Sequence, residues 1–302
     1  MWTLRALRLG MLLTPILPAG AGYAICRLVG LALLCLNREA RRAVLDNQCH
    51  VAPGASRRTL YRRALGVFTT VVMNYYDLLR LSTVDRDRLL HLLEVEGQEH
   101  LEGAFAAGRG AIILSAHLGN FGVVAQYPGA LGRPAVLVVE HVHPEPLFQF
   151  MARLRSALGI GVIPPGRQAA LPILRLLRND GVLILAGDRD VLHRGMRVEF
   201  FGRPASLPTG PVELAARTGT PLIPAYTVRL SSRRSLVRIA APLELARTGD
   251  KEADLRDNTM RMARTLERMI ASAPGQWAVL QRIWQEDAET ENAYSSPASI
   301  TR

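Results

Sequence analysis

Apolar residues follow two textures along this chain, and the change comes near Leu101. Before it, residues 38–50 and 56–81 carry apolar positions at three- and four-residue spacing with arginines between them, the period of amphipathic helices. After it, short apolar runs alternate with helical patterns, the signature of strand–helix units. Strands are predicted at 110–115, 135–140, 161–163, 181–186, 196–201, 221–228 and 236–240. Helices are predicted at 121–131, 144–158, 168–178 and 209–218, the last opened by Pro208-Thr209 and closed by Gly219, and a long helix over 250–273 closes the pattern. The expected fold is α/β, a mixed sheet flanked by helices over residues 101–286, behind a helical N-terminal region over 1–100. Residues 287–302 are polar and rich in small side chains, and a flexible tail is expected there.

The stretch from Leu7 to Leu36 is strongly apolar, but Arg8, Pro15, Pro18 and Arg27 divide it into pieces shorter than the ~20 residues of a spanning helix. Cleavage as a signal peptide would export Arg38, Arg41 and Arg42 as a positive block, against the usual charge bias. The stretch reads instead as a helical pair seating the protein on a membrane surface, with a buried helical hairpin as the alternative. Charge changes the picture further. The chain has 302 residues, with 37 basic against 26 acidic, a formal charge of +11, so its large partners are expected to be anionic. Aromatics make up only 6%, and no helix-turn-helix, RNA-binding or zinc-finger signature is present, which argues against nucleic acid and for anionic membrane lipid. Cys26, Cys35 and Cys49 fit neither a zinc site nor a disulfide framework and read as thiols of a reducing compartment. A peripheral or monotopic protein on the cytoplasmic face of the plasma membrane is expected, with a monomer as the expected state.

Candidate chemistry sits where the predicted strands end, the edge at which α/β proteins bind ligands. His117 follows the 110–115 strand, with Gly119, Asn120 and Gly122 after it. An imidazole there can take a proton from a hydroxyl, and the glycines let backbone approach a ligand. Glu140-His141-Val142-His143 closes the next strand; no cysteine or further histidine completes a zinc set, so no metal is expected. If neighbouring parallel strands end level, the Glu140 carboxylate and the His117 ring share one rim. Asp188-Arg189-Asp190 follows the 181–186 strand and reads either as an anion-binding triplet or as a solvated turn. Glu199-Phe200-Phe201-Gly202-Arg203 reads as an apolar wall with a cationic lip, or as ordinary core. The phosphate-binding GxxxxGK[ST], the dinucleotide GxGxxG and the hydrolase GxSxG patterns are absent.

Seven segments taken in order carry a resemblance: Asn74-Tyr75-Tyr76-Asp77 with Leu78 to Leu81, Ala116-His117-Leu118-Gly119-Asn120-Phe121, Arg155 with Leu158-Gly159, Asp188-Arg189-Asp190, Phe200-Phe201-Gly202-Arg203-Pro204, Pro208-Thr209-Gly210-Pro211, and Pro274-Gly275-Gln276-Trp277 running on to Trp284. Together they resemble the bacterial lipid A biosynthesis acyltransferase family and the related phosphatidylinositol mannoside acyltransferases, over about residues 34 to 284. The resemblance implies a glycerolipid acyltransferase-like core that moves a fatty acyl group from acyl-CoA or acyl carrier protein to a hydroxyl of a membrane glycolipid, with no cofactor. It implies His117 as general base. The family's orienting acid, five positions on, falls here on Gly122. Glu140 and Glu199 are the leading replacements and Asp188 and Asp190 follow; otherwise the chain is a catalytically degenerate homologue that binds lipid without turnover. By residue type, Arg155 and Arg189 suit phosphates, Asn120 and the amides near Gly119 suit an oxyanion, and Phe200 with Phe201 suits an acyl tunnel beside Arg203.

Overall fold

The computed structural model describes residues 10, 11, 14 and 16–284. Arg8, Pro15 and the tail over 287–302 lie outside the described residues.

Helix α1 (Ala19–Leu36) runs unbroken through Arg27, because that side chain points outward and reaches Ser232. It lies on α3 (Arg57–Arg80), with α2 (Arg38–Val51) packed beside them. Two glycines make the α1–α3 seam close. A Cβ on Gly22 would lie 2.1 Å from the Tyr76 hydroxyl oxygen, and one on Gly30 would lie 2.8 Å from the Thr69 Cα. Tyr23, Cys26 and Leu34 bury themselves along the same face. The opposite face leaves Ile25, Leu28, Val29, Leu31, Leu33 and Leu36 exposed. Asn37 caps α2 and Ser56 caps α3, each accepting a backbone N–H of the first turn.

Seven strands form one sheet in the order β1-β9-β8-β2-β5-β3-β4: β1 (Leu93–Glu96), β2 (Ala111–Ser115), β3 (Ala135–Val138), β4 (Gly161–Ile163), β5 (Val182–Ala186), β8 (Leu222–Arg229) and β9 (Ser235–Ile239). Only β8 and β9 pair antiparallel, so the sheet is mixed as expected. A separate hairpin joins β6 (Met196–Phe200) to β7 (Arg203–Leu207). The even positions of β2, Ile112 and Leu114, pack with Ile173 and Leu177 of α9 (Ala170–Arg178), Val212 and Ala215 of α10 (Gly210–Thr218), and Met262 and Leu266 of α11 (Lys251–Ser272). The odd positions, Ala111 and Ile113, face Leu101 and Phe105 of α5 (Gln98–Ala106) on the other side. A strand covered on both faces reads as a continuous apolar run, which is why β2 and β5 are plain in the sequence.

Several elements depart from the expectation. The 121–131 helix is two short ones, α6 (Phe121–Val124) and α7 (Tyr127–Ala130), because Pro128 lacks an N–H and begins a new turn. Strand β7 is not among the predicted strands; it contains Pro204, which a two-stranded hairpin with an unpaired edge tolerates. Strand β1 is a four-residue edge strand with two glutamates, too short and polar to stand out. Helix α4 (Arg86–His91) and α5 are likewise too short for a periodic signal. The 144–158 helix is α8 (Glu145–Arg155).

Candidate active site

Strands β2, β5 and β3 run parallel, so the segments that follow them emerge at one edge of the sheet. His117, Asp188 and Glu140 each sit two residues beyond a strand's last residue. Strand order decides which of them meet. Strand β5 lies between β2 and β3, and its register with β2 pairs Ser115 with Ala186, so the next matching residues are His117 and Asp188.

The Asp188 side chain is fully buried and accepts three hydrogen bonds. The His117 ring donates from Nδ1 to Oδ1 at 2.8 Å, the His117 backbone N–H donates to Oδ2 at 3.0 Å, and the Trp277 indole N–H donates to Oδ2 at 2.8 Å. Burial by itself pushes the carboxyl up, but the ring, the indole and the amide outweigh it and hold Asp188 below the usual carboxylate range. An ionised Asp188 fixes the proton of neutral His117 on Nδ1. Nε2 then carries the free lone pair, and the ring side chain is 21% exposed. Phe121 packs edge-on against the ring at 5.1 Å. A partly exposed imidazole with a buried carboxylate behind it is a unit that can accept a proton and stabilise the resulting cation.

The loop after His117 is held from several sides. Gly119 adopts φ +56°, and a Cβ there would lie 2.4 Å from the Thr227 carbonyl oxygen, so the position requires glycine. Its N–H donates to the Gln276 carbonyl (3.1 Å), and its carbonyl accepts from Asn74 Nδ2 (2.9 Å). The amides of residues 117, 118 and 119 are all engaged, on Asp188, Ala116 and Gln276 respectively. Asn120 is buried, and its Oδ1 has no hydrogen-bond partner among the described residues.

The other expected residues lie elsewhere. Glu140 is separated from His117 by β5 and pairs instead with Arg189 at 3.3 Å. Glu199 alternates outward on β6, whose inner positions Val198 and Phe200 enter the core, so it points away from that core. Neither glutamate reaches His117. Asp190 accepts from Ser206 Oγ (2.7 Å) and the Gly195 N–H (2.7 Å), closing the turn that leads into the hairpin. Phe200 is part of the core: it is fully buried, stacks on Trp284 at 5.6 Å, and its carbonyl accepts the Trp284 indole N–H. Arg203 is exposed on β7. Arg155, at the end of α8, makes no side-chain hydrogen bond or ion pair among the described residues; its carbonyl accepts from Gln126 Nε2 (2.7 Å), and burial lowers its guanidinium pKa. Among the described residues no group of three metal-ligating side chains comes together. Sequence reasoning gave no role to Trp277, Asn74, Gln276 or Arg229, although the first three lie in segments that carry the resemblance.

A family model described as bacterial lipid A biosynthesis acyltransferase matches residues 1–286. The chain belongs to this family. It is 31% identical over 216 residues to the phosphatidylinositol mannoside acyltransferase of Mycobacterium tuberculosis (strain ATCC 25618 / H37Rv), a match covering 70% of this chain and 66% of that protein. It is also 31% identical to the phosphatidylinositol mannoside acyltransferase of Mycolicibacterium smegmatis, over 70% of this chain and 69% of that one. The match therefore spans about two thirds of these relatives' length. Within the lipid A acyltransferase family frame, position 122 is open: a Cβ on Gly122 would meet nothing within 4 Å.

The depressed Asp188 pKa has a consequence for folding. A carboxyl whose folded pKa lies below its unfolded value contributes stability above the unfolded pKa, and that contribution is lost as pH falls through the folded value. Below about pH 4, the ordinary aspartate pKa, the wild type is expected to lose stability more steeply than Asp188→Asn. Urea midpoints at pH 7 and pH 3 measure this. Parallel losses in the two proteins would refute it.

Proposed function

We propose that this protein is an O-acyltransferase that moves a fatty acyl group from a thioester donor, acyl-CoA or acyl carrier protein, to a hydroxyl of a membrane glycolipid. The observation that carries the reading is the His117–Asp188–Trp277 cluster, a base with a buried, ionised orienting carboxylate, in a chain of the lipid A acyltransferase family. Nε2 of His117 takes the proton of the acceptor hydroxyl as its oxygen attacks the thioester carbonyl. The tetrahedral intermediate then expels the thiolate, which recovers the proton from His117, leaving an ester and a free thiol. Asp188 stabilises the imidazolium between these steps. Arg155, a desolvated guanidinium with no carboxylate partner among the described residues, suits a phosphate of donor or acceptor. Asp188 places a carboxylate at His117 Nδ1 although position 122 carries none, which supports turnover over lipid binding without it. The names of the relatives support a glycolipid of the phosphatidylinositol mannoside type as acceptor.

Incubation of the protein with labelled palmitoyl-CoA and a lipid extract of its own host tests the reading. Label should pass to glycolipid with the wild type and not with His117→Ala. Equal transfer by both proteins would overturn it.

The domain division follows the same logic, with residues 1–100 as the membrane-association region and 101–286 as the acyltransferase core. Helix α1 is long and apolar enough to cross a membrane. Its inner face, however, is fixed to α3, which bears the exposed Arg57, Arg58 and Arg62. Seating flat on the cytoplasmic leaflet leaves those guanidinium groups at the lipid headgroups. Leu28→Ser with Leu31→Ser is expected to weaken binding to anionic vesicles by about a hundredfold, at roughly 1.5 kcal/mol for each buried leucine. Vesicle sedimentation measures this, and unchanged binding would move the seat elsewhere.

A further inference from the structure

One buried chain of polar groups runs from the outer helix to the His117 loop. The Tyr23 hydroxyl on α1 donates to Asp77 Oδ1 at 2.5 Å. Asp77 Oδ2 accepts from the Arg229 guanidinium at 2.8 Å, and the same guanidinium nitrogen donates to Asn74 Oδ1 at 3.0 Å. Asn74 Nδ2 donates to the Gly119 carbonyl, two residues from His117. A second arm leaves Arg229 through its backbone. The Gln276 side chain takes the Arg229 N–H (2.8 Å) and gives an N–H to its carbonyl (3.0 Å), while the Gln276 carbonyl holds the Gly119 N–H. Both polar atoms of the Gly119 backbone are thus tied to Arg229, each through one neighbour.

We infer that Asn74, Asp77, Arg229 and Gln276 are positioning residues for the His117 loop, and that Tyr23 couples their arrangement to the seating of α1 on lipid. The inference rests on the membrane-seating reading above. Three observations carry it. Each link is a hydrogen bond of 2.5 to 3.1 Å, with low solvent access at Tyr23, Asp77 and Arg229. The α1–α3 contact leaves no slack, since Gly22 and Gly30 admit no Cβ, so a displacement of α1 must move Tyr23 with it. A groove of about 490 Å³ sets the exposed side of α1 beside the middle of the chain, with Leu28 and Leu31 of α1, Arg62 of α3, Arg229 and Gln276 all in its lining.

The direction of the coupling follows from what forms the seat. Its apolar face belongs to α1 and its guanidinium groups to α3, so an anionic lipid surface binds both only when α1 is docked. A helix packed on one side alone samples undocked states in water. Lipid that binds the docked arrangement better shifts the population toward it. Docking returns the Tyr23 hydroxyl to Asp77, frees the Asp77–Arg229–Asn74 group from competing arrangements, and fixes the Gly119 carbonyl.

Amide hydrogen exchange at Gly119, with and without vesicles of phosphatidylglycerol and phosphatidylcholine, tests the coupling without requiring turnover. Exchange in the wild type is expected to slow about tenfold on vesicle binding, the equivalent of one net hydrogen bond. Tyr23→Phe keeps the exposed face of α1 and is expected to sediment with vesicles as the wild type does, without the slowing. Asn74→Ala cuts the network at its other end and is expected to give the same result, which guards against a folding defect at Tyr23. Slowing that survives in both variants overturns the coupling, as does a wild type that binds vesicles without any slowing. A wild type that fails to sediment overturns the seating reading and the coupling with it. In transfer assays the variants are expected to lower kcat with the KM for a soluble acyl-CoA unchanged, and a loss confined to KM would contradict a positioning role.

Discussion

Asp188→Asn is expected to lower the rate of acyl transfer by about four orders of magnitude, the size of the same change behind the histidine of a serine protease triad. The reason lies in which nitrogen keeps the proton. Asp188 presents an acceptor to His117 Nδ1 at 2.8 Å and a second oxygen to the His117 amide and the Trp277 indole. In the asparagine variant those two N–H groups still require an oxygen, so the amide group of the side chain turns toward Nδ1. Nδ1 must then accept, the ring proton moves to Nε2, and the lone pair that takes the substrate proton is gone. Trp277 and the loop amide keep their partner, so the fold should survive, and circular dichroism and urea midpoints check that it does. Glu199→Gln, on the outward side of β6, is expected to leave the rate within about threefold, since exposed single changes are small. A single-turnover assay with labelled acyl donor measures both. A rate within tenfold of the wild type for Asp188→Asn would mean that some other group orients His117.

The second large effect concerns stability. Arg229→Leu is expected to destabilise the protein by about 3–5 kcal/mol, because it leaves the Asp77 carboxylate buried without its partner. The two side chains are 8% and 7% exposed. Burial already pushes the Asp77 carboxyl above its ordinary range despite the Arg229 charge and the Tyr23 hydroxyl. Without the guanidinium the carboxyl must take up a proton to stay inside. Its folded pKa then stands far above the unfolded one, so the variant binds more protons folded than unfolded and loses stability as pH rises from 5 to 8. Urea denaturation at the two pH values reads this slope. The double variant Arg229→Leu with Asp77→Leu should recover most of the loss, as apolar replacement of a buried pair often does. Arg238→Leu, which breaks an exposed pair with Glu96, should cost under about 1 kcal/mol. Equal costs for the two arginines would refute the argument.

The sequence made the sheet legible where strands are buried on both faces, as at β2 and β5, and concealed it where they are short edges, as at β1. It also showed that chemistry gathers at strand ends. The choice of acid was not legible, because Glu140 and Asp188 hold the same place relative to their strands, two residues past the end. Only the insertion of β5 between β2 and β3 separates them, and strand order is a property of long-range pairing that no local pattern encodes. Phe200 failed for a different reason. An apolar pair beside an arginine looks alike whether it faces a ligand or the core, and its stacking on Trp284 depends on a contact 84 residues away in sequence. Trp277, Gln276 and Asn74 were visible as part of a resemblance, but their roles depend on partners that folding alone brings near.

The cluster around His117 also fixes when the site comes into being during synthesis. The histidine, its carboxylate and the indole that steadies the carboxylate come from positions 117, 188 and 277, so the last of them leaves the ribosome only when nearly the whole core has been made. Until β5 has paired with β2 the imidazole has no fixed tautomer, and until the segment after α11 has folded back Asp188 lacks its third donor. On the proposed reading, a nascent chain seated through its first helices is thus chemically inert toward acyl donors. A product truncated anywhere before Trp277 would share that inertness, whatever its affinity for lipid.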